Sequence, residues 1–149
     1  MMTRRELREH TFCMLFSGGF YSPEEAGEQV EKYVESLGDW NEEDTTEREW
    51  KKLPVLSEEE CAQLEERVRS ILSRQSELDE RINGISEGWK TSRMSRVDLT
   101  LIRLALYEIL YDDTVPVKVA INEAVEMAKK YGGADSPSFV NGILARLVK

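Results

Sequence analysis

The 149-residue chain has very little of the chemistry that catalytic and metal centres need. It contains one histidine, His10, and two cysteines, Cys13 and Cys61, which form no CxxC pair. Zinc sites need several such ligands at fixed spacing, and phosphate cradles need glycine-rich motifs that the sequence lacks. The dense carboxylates lie on solvated stretches, where nothing would separate their pKa values. The sequence therefore predicts a protein that binds partners, with no catalytic residues, metal or cofactor, and a structural or exposed His10.

Long apolar runs are absent as well. No stretch approaches the roughly 20 residues of a membrane-spanning helix, and polar residues interrupt the N-terminal region where a secretory signal would need an apolar core. The two distant cysteines give no disulfide framework, which fits a reducing cytoplasm. With 40% hydrophobic and 33% charged residues, the composition is typical of one globular domain. We expect a cytoplasmic protein without a membrane segment.

Charge is distributed very unevenly along the chain. The net charge is −9, but residues 24–66 carry 16 acidic and 4 basic residues, so the rest of the chain sums to +3. Local charge decides what a surface attracts. A phosphate-bearing partner is therefore compatible with the acidic total.

Helix start and stop signals divide the chain into helices. Capping boxes occur at residues 3–6 and 57–60, and further N-caps are predicted at Ser22, Ser95 and Ser136. Glycine pairs at 18–19 and 132–133 are typical helix ends. Apolar residues recur at helical spacing from Cys61 to Ile82.

The interior of the fold is predicted from the same pattern. Residues 99–111 are apolar nearly all round, which favours a central buried helix. In the helix after Pro116, five residues fall on one face, namely Val117, Ile121, Ala124, Ala128 and Tyr131, and its alanines would let neighbouring helices approach closely. We attribute Gly142, inside the last helix, to close backbone packing. With no alternating strand pattern, we predict an all-α bundle of six or seven helices, connected at 39–54 by an acidic loop or poorly ordered segment that contains Trp40 and Trp50.

The first helix begins with three arginines, Arg4, Arg5 and Arg8. Cations at a helix N-terminus oppose the helix dipole at a cost of about 0.3–1 kcal/mol each, so stability alone would favour acids there. Free backbone N–H groups and guanidinium forks suit phosphates, and helical spacing continues from Arg4 and Arg8 through Thr11 and Leu15. The arginines could equally offset Glu6 and Glu9 on a solvated face.

Two further surfaces are candidates for binding. Lys118, Asn122 and Lys129 project on one side of the helix after Pro116, although an ordinary solvated edge explains them better when they are taken alone. The loop at 132–137, before the last helix, carries Asp135 beside the expected cap Ser136, and most such aspartates form turns.

The C-terminal half resembles the NusB family of bacterial transcription antitermination factors. The similarity lies in residues 119–144 (VAINEAVEMAKKYGGADSPSFVNGIL), in residues 103–109 (RLALYEI), in Val115-Pro116 and in the arginine-rich first helix with Phe16. The resemblance implies a NusB-like all-helical fold in two small subdomains. It also implies binding to the boxA element of ribosomal RNA leader transcripts as a heterodimer with NusE, within a complex of NusA, NusG and RNA polymerase. Some members form homodimers that hide the RNA surface.

The resemblance also implies roles for individual residues. Six positions match the family's RNA contacts, namely Arg4, Arg5, Arg8, Lys118, Asp135 and Phe139. Phe16 and Asp98 match the NusE contacts, although a tyrosine is familiar at position 16. The leading hypothesis is thus a single RNA-binding domain over 1–149. A protein-only adaptor that docks through its acidic segment is one alternative. A detached NusB-like domain of the ribosomal RNA methyltransferase lineage is another, and the chain length leaves no room for the methyltransferase itself.

Overall fold

The structure, a computed structural model, describes residues 3–18, 23–38, 56–85 and 90–148. In these ranges all the regular secondary structure is helical, which confirms the all-α prediction. The six α-helices are α1 (Arg4–Gly18), α2 (Ala26–Gly38), α3 (Glu58–Ile85), α4 (Arg96–Tyr111), α5 (Val117–Tyr131) and α6 (Ser136–Leu147). Short 3-10 helices at Pro23–Glu25 and Thr91–Arg93 lie before α2 and α4. The predicted cap Ser22 and the 39–54 connection with its two tryptophans lie outside the described residues.

Side-chain caps start three of the helices where the sequence predicts them. At α3 the box is reciprocal, because the Glu60 N–H donates to Ser57 Oγ (3.2 Å) and the Ser57 N–H donates to Glu60 Oε1 (2.9 Å). Thr3 accepts from the Glu6 N–H at 3.1 Å to start α1, and Ser95 accepts from the Asp98 N–H at 3.1 Å to start α4. Each bond satisfies a backbone donor that the helix itself leaves unpaired.

The chain divides into two compact units, Met1–Ser73 and Arg74–Lys149, in agreement with the two subdomains that the resemblance implies. In the first unit, α1, α2 and the beginning of α3 enclose a small apolar core. Its buried members are Met14, Ala26, Val30, Leu56, Leu64 and Val68, with Cys61 and Leu72 packed at its edge. The predicted apolar stripe of α3 is confirmed, since Leu64, Val68, Ile71, Leu78 and Ile82 are all buried.

The second unit is built on α4, α5 and α6, which pack against one another. The prediction for α4 is confirmed, because most of its residues from Asp98 to Glu108 are buried. Arg103 donates from Nε and Nη2 to the two carboxylate oxygens of Asp79, each at 2.7 Å, which fixes α4 against the end of α3. In the described part of the chain, no helix is long and apolar enough to cross a membrane.

The α5 prediction is confirmed at Ala124 and Ala128 but not at Val117, and the packing prediction for Gly142 is wrong. The inward face of α5 consists of Ala120, Ala124, Met127 and Ala128, whereas Val117 is 42% exposed. The small alanines leave room for neighbouring helices. Val117 does not join them in the core because it lies in the first turn of α5, which is exposed. Gly142 is exposed, and a β-carbon built on it would meet no atom within 4 Å outside its own stretch of helix. Close packing therefore does not explain this glycine.

Replacement of Gly142 by alanine should stabilise the protein. Alanine restricts the unfolded chain and favours the helix by up to about 1 kcal/mol relative to glycine, and the position has space for the methyl group. Chemical denaturation measures the gain in the free energy of unfolding. Gly132→Ala, where an added β-carbon would be crowded by neighbouring atoms, is the contrasting variant and should show no such gain. A loss of stability in Gly142→Ala would show that the exposed face of α6 has a contact that the fold does not reveal.

Candidate nucleic-acid interface

The first candidate surface is the basic end of α1, formed by Arg4 and Arg5. Both side chains are exposed, and both residues lie in the first turn of the helix. The N–H of Glu6 already donates to the Thr3 hydroxyl, so not every N–H group of the first turn can bind a ligand. The arginine side chains are therefore the main candidates for ligand contact. Guanidinium groups bind phosphates in a bidentate manner.

The stripe that was predicted to continue from this end turns into the protein. Arg8 is only 8% exposed and Thr11 is fully buried, with its hydroxyl donating to the carbonyl oxygen of Leu7 at 2.7 Å. Residues 10–14 are buried without interruption. Among the three arginines, Arg4 and Arg5 are therefore the accessible pair, and Arg8 belongs largely to the interior.

Below the basic end, His10 is completely buried. Its Nδ1 lies 2.7 Å from the Tyr33 hydroxyl, and the two rings meet edge to face with centroids 5.7 Å apart. Burial lowers the pKa of His10 from 6.5 to about 4, although Glu6 and Glu60 partly oppose this shift by favouring the cation. The imidazole is thus neutral at physiological pH, which agrees with a structural role.

The second candidate surface is the start of α5. Lys118 is exposed between Val117 and Val119, which are each 42% exposed. Asn122 and Lys129 are exposed too, as predicted, but the Lys129 ammonium group lies 2.9 Å from Glu126 Oε1. Lys118 makes no hydrogen bond or ion pair with the part of the chain that the structure describes. This lysine is the cation of α5 best placed to meet an anionic partner.

The third candidate surface is the α6 entry loop, residues 132–135, together with the first turn of α6. Ser136 is not the cap that the sequence predicts. The helix begins at Ser136, Asp135 occupies the N-cap position, and the Asp135 side chain makes no capping bond. The Ser136 hydroxyl instead accepts the N–H of Gly133 at 3.1 Å. Asp135 is exposed, whereas Phe139, one turn into the helix, is half-buried.

The structure separates the residues predicted on the second unit into two groups. Asp135 and Phe139 share the beginning of α6. Lys118 lies at the beginning of α5, whose length separates it from the α6 entry loop by about 20 Å along the helix axis. A ligand that contacts both groups must be extended, as a single-stranded nucleic acid is.

The predicted protein-contact residues have different surroundings. Phe16 is half-buried and stacks on Phe12 with centroids 5.7 Å apart and planes 12° from parallel. Asp98 is 9% exposed in the first turn of α4, and its Oδ1 has no hydrogen-bond partner among the described residues. A buried carboxylate oxygen without a donor is costly. A partner that supplies a donor to Asp98 would remove this cost.

Gly132 and Ser136 lie within the candidate loop at 132–137, but the sequence assigns neither of them a role in the site. The sequence predicts a helix stop at Gly132 and a cap at Ser136. Gly132 and Ser136 come together because of the way the end of α5 packs against the start of α6, and no local sequence pattern predicts that packing. Among the described residues, no group of three or more His, Cys, Asp or Glu side chains could hold a metal ion.

Comparison with known proteins gives a consistent result. The model of the NusB family matches residues 6–149. The transcription antitermination protein NusB of Lachnoclostridium phytofermentans is 47% identical over 147 residues, which cover 99% of both chains. That of Agathobacter rectalis is 44% identical over 145 residues, which cover 97% of this chain and 98% of the relative.

Solved structures agree with the sequence comparisons. NusB of T. maritima superposes with a TM-score of 0.68 at 30% identity, over 99% of this chain and 92% of the other. A chain from the crystal structure of a plectonemic RNA supercoil gives a TM-score of 0.72, over 99% and 95% of the two chains. At 21% identity, that second likeness shows the fold alone.

The similarity extends over both units and includes the α6 entry loop. Relatives that act in transcription antitermination agree with the prediction of a binding protein without catalytic activity. They also confirm the family that the C-terminal motif indicates. The chain belongs to the NusB family, and the relatives that show this are transcription antitermination proteins.

Proposed function

We propose that the chain binds boxA RNA of ribosomal RNA leader transcripts together with NusE, and thereby supports processive ribosomal RNA transcription in the cytoplasm. In this proposal the complex joins NusA, NusG and RNA polymerase. The observation that carries it is 47% identity to a NusB antitermination protein over 99% of both chains. The exposed basic end of α1 and the α6 entry loop supply the chemistry.

Arg4 and Arg5 bind the RNA backbone. Both are exposed on the first turn of α1, where the helix dipole adds to their positive field. Phosphate contacts of this kind provide affinity without reading the sequence. Arg8 is assigned to the same contact set, but its burial makes it a supporting residue of the basic end rather than a freely reaching one.

Asp135, Phe139 and Lys118 contact the RNA in other ways. A carboxylate repels phosphate, so Asp135 accepts hydrogen bonds from base N–H groups or a ribose hydroxyl. Phe139 offers the exposed part of its ring to an unstacked base. Lys118 meets a phosphate about 20 Å away along α5, which is a distance that only an extended strand of several nucleotides spans.

Phe16 and Asp98 contact NusE. The unpartnered Oδ1 of Asp98 supports this assignment, because a donor from the partner would satisfy it. The half-exposed ring of Phe16, held by Phe12, provides an aromatic anchor of the kind that interfaces favour.

Replacement of Phe16 by tyrosine should tighten NusE binding about 2- to 10-fold, because the resemblance implies a tyrosine here and one added hydrogen bond contributes that much. Titration calorimetry with NusE measures the change. Phe139→Tyr, at another half-buried phenylalanine, should leave NusE binding unaltered. Equal effects of the two substitutions, or none from Phe16→Tyr, would remove a hydroxyl contact at position 16 from the proposal.

Native electrophoresis of the chain with NusE and a boxA oligomer tests the proposal as a whole. We expect one ternary species that neither pair of components produces. A complex that contains NusE but never takes up the RNA, at any salt concentration, would favour the protein-only adaptor instead.

A further inference from the structure

We propose that Ser136 and Gly132 are positioning residues that hold Asp135 in the conformation that binds RNA. The inference rests on the proposed role of Asp135 and adds what makes its carboxylate available. Aspartate is among the preferred N-cap residues, since its side chain normally accepts a backbone N–H of the first helical turn. At the start of α6 this does not happen. The reason lies in Gly132, the first residue of the α6 entry loop, and Ser136, the residue that follows the loop.

The loop is closed by a reciprocal pair of hydrogen bonds between Gly133 and Ser136. The N–H of Gly133 donates to Ser136 Oγ at 3.1 Å, and the N–H of Ser136 donates to the Gly133 carbonyl oxygen at 3.1 Å. Ser136 is 9% exposed even though it is the first residue of the helix. Its hydroxyl is thus committed to the loop backbone.

Gly132 brings the end of α5 directly against Ser136. A β-carbon on Gly132 would lie 2.5 Å from Ser136 Oγ, 2.6 Å from Ser136 Cβ and 2.9 Å from the carbonyl oxygen of Ala128. Such distances are far below van der Waals contact, and the Ala128 oxygen is fixed by its bond to the Gly132 N–H at 2.9 Å. Only glycine permits this approach of the two helix ends.

The consequence falls on the backbone of Asp135. With Ser136 held to Gly133, Asp135 adopts φ −90° and ψ −11°, a helical conformation. N-cap side chains reach their N–H targets from an extended backbone, so Asp135 cannot cap α6 and its exposed carboxylate stays available to a ligand. Release of Ser136 would let Asp135 turn into an ordinary cap, in which the carboxylate is occupied by its own helix.

A double-mutant cycle in RNA binding tests this inference. Ser136→Ala keeps the β-carbon and removes the acceptor, and we expect it to weaken boxA affinity about 3- to 10-fold while the melting temperature stays near that of the parent chain. In an Asp135→Ala background, Ser136→Ala should cause no further loss, because it acts through the carboxylate. Ser138→Ala, at an exposed serine of the same turn, is the matched control and should leave affinity unchanged.

A second pair of variants makes the same test without touching Ser136. Gly132→Ala should weaken RNA binding, whereas Gly133→Ala, where a β-carbon meets no atom within 4 Å, should not. Equal losses from Ser136→Ala with and without Asp135, or no loss from Ser136→Ala when Asp135→Ala alone weakens binding, would overturn the inference and leave the proposed function standing. RNA affinity unaffected by Asp135→Ala would remove Asp135 from the proposed function and the inference with it.

Discussion

Joint replacement of Arg4 and Arg5 by alanine is expected to weaken binding of boxA RNA about 10- to 100-fold at low salt, since each charged hydrogen bond to a phosphate contributes roughly 1 kcal/mol or more. These are the two exposed arginines of the basic end. Arg8 is left in place because its side chain is 8% exposed, and its removal would confuse binding with stability. Fluorescence anisotropy of a labelled boxA oligomer measures the loss.

The salt dependence of the same titration separates direct phosphate contacts from indirect effects. For single strands, each contact contributes about 0.7 to the slope of log affinity against log salt, so the double variant should lose about 1.4 from that slope. Arg93→Ala with Arg146→Ala changes the net charge equally at two other exposed arginines and should leave both quantities nearly unaltered. Similar losses in the two double variants would mean that only net charge matters and would contradict a site at α1.

Acidification from pH 6.5 to pH 4 is expected to lower the free energy of unfolding by about 3 kcal/mol through His10 alone. Burial holds the pKa of His10 at about 4 in the folded protein, against 6.5 ordinarily. Between these values the unfolded chain binds the proton and the folded chain does not. Stability from His10 is therefore complete above pH 6.5, declines as pH falls, and declines no further below about pH 4.

Denaturant unfolding at several pH values measures this loss, and comparison with His10→Gln isolates it from the carboxylates. The groups that face the imidazole from the neighbouring helices are Tyr33 on α2 and Glu60 on α3, with Glu6 on α1 itself. The difference between the parent chain and His10→Gln should shrink or reverse toward pH 4. A pH-independent difference would show that His10 titrates normally and is not held neutral by burial.

Local patterns predict the helices because their causes are local. The capping boxes at Thr3 and Ser57 and the cap at Ser95 need only residues three positions apart, and all three bonds form. The apolar stripe of α3 likewise marks its buried face. Helix count and the all-α class follow directly from such signals.

The failures share one physical reason, which is that their causes are tertiary. Nothing in the spacing of Arg8 shows that its side chain is covered, and nothing at Gly142 shows that its surroundings are open. Ser136 has the sequence context of a cap, yet its hydroxyl accepts the N–H of Gly133. The way in which α5 and α6 pack together determines the loop that brings these two residues into contact. The family resemblance therefore predicts which residues form the candidate site. Which of them are exposed, and which neighbours hold them in place, can be known only from the fold.

The most direct measurement of the central claim compares the affinity of the chain for a boxA oligomer with its affinity for a scrambled RNA of the same composition, with and without NusE. The account predicts tighter binding of boxA than of the scrambled RNA, a further gain when NusE is present, and a decrease with rising salt. Equal affinity for the two RNAs in both conditions, or no RNA binding in either, would contradict it.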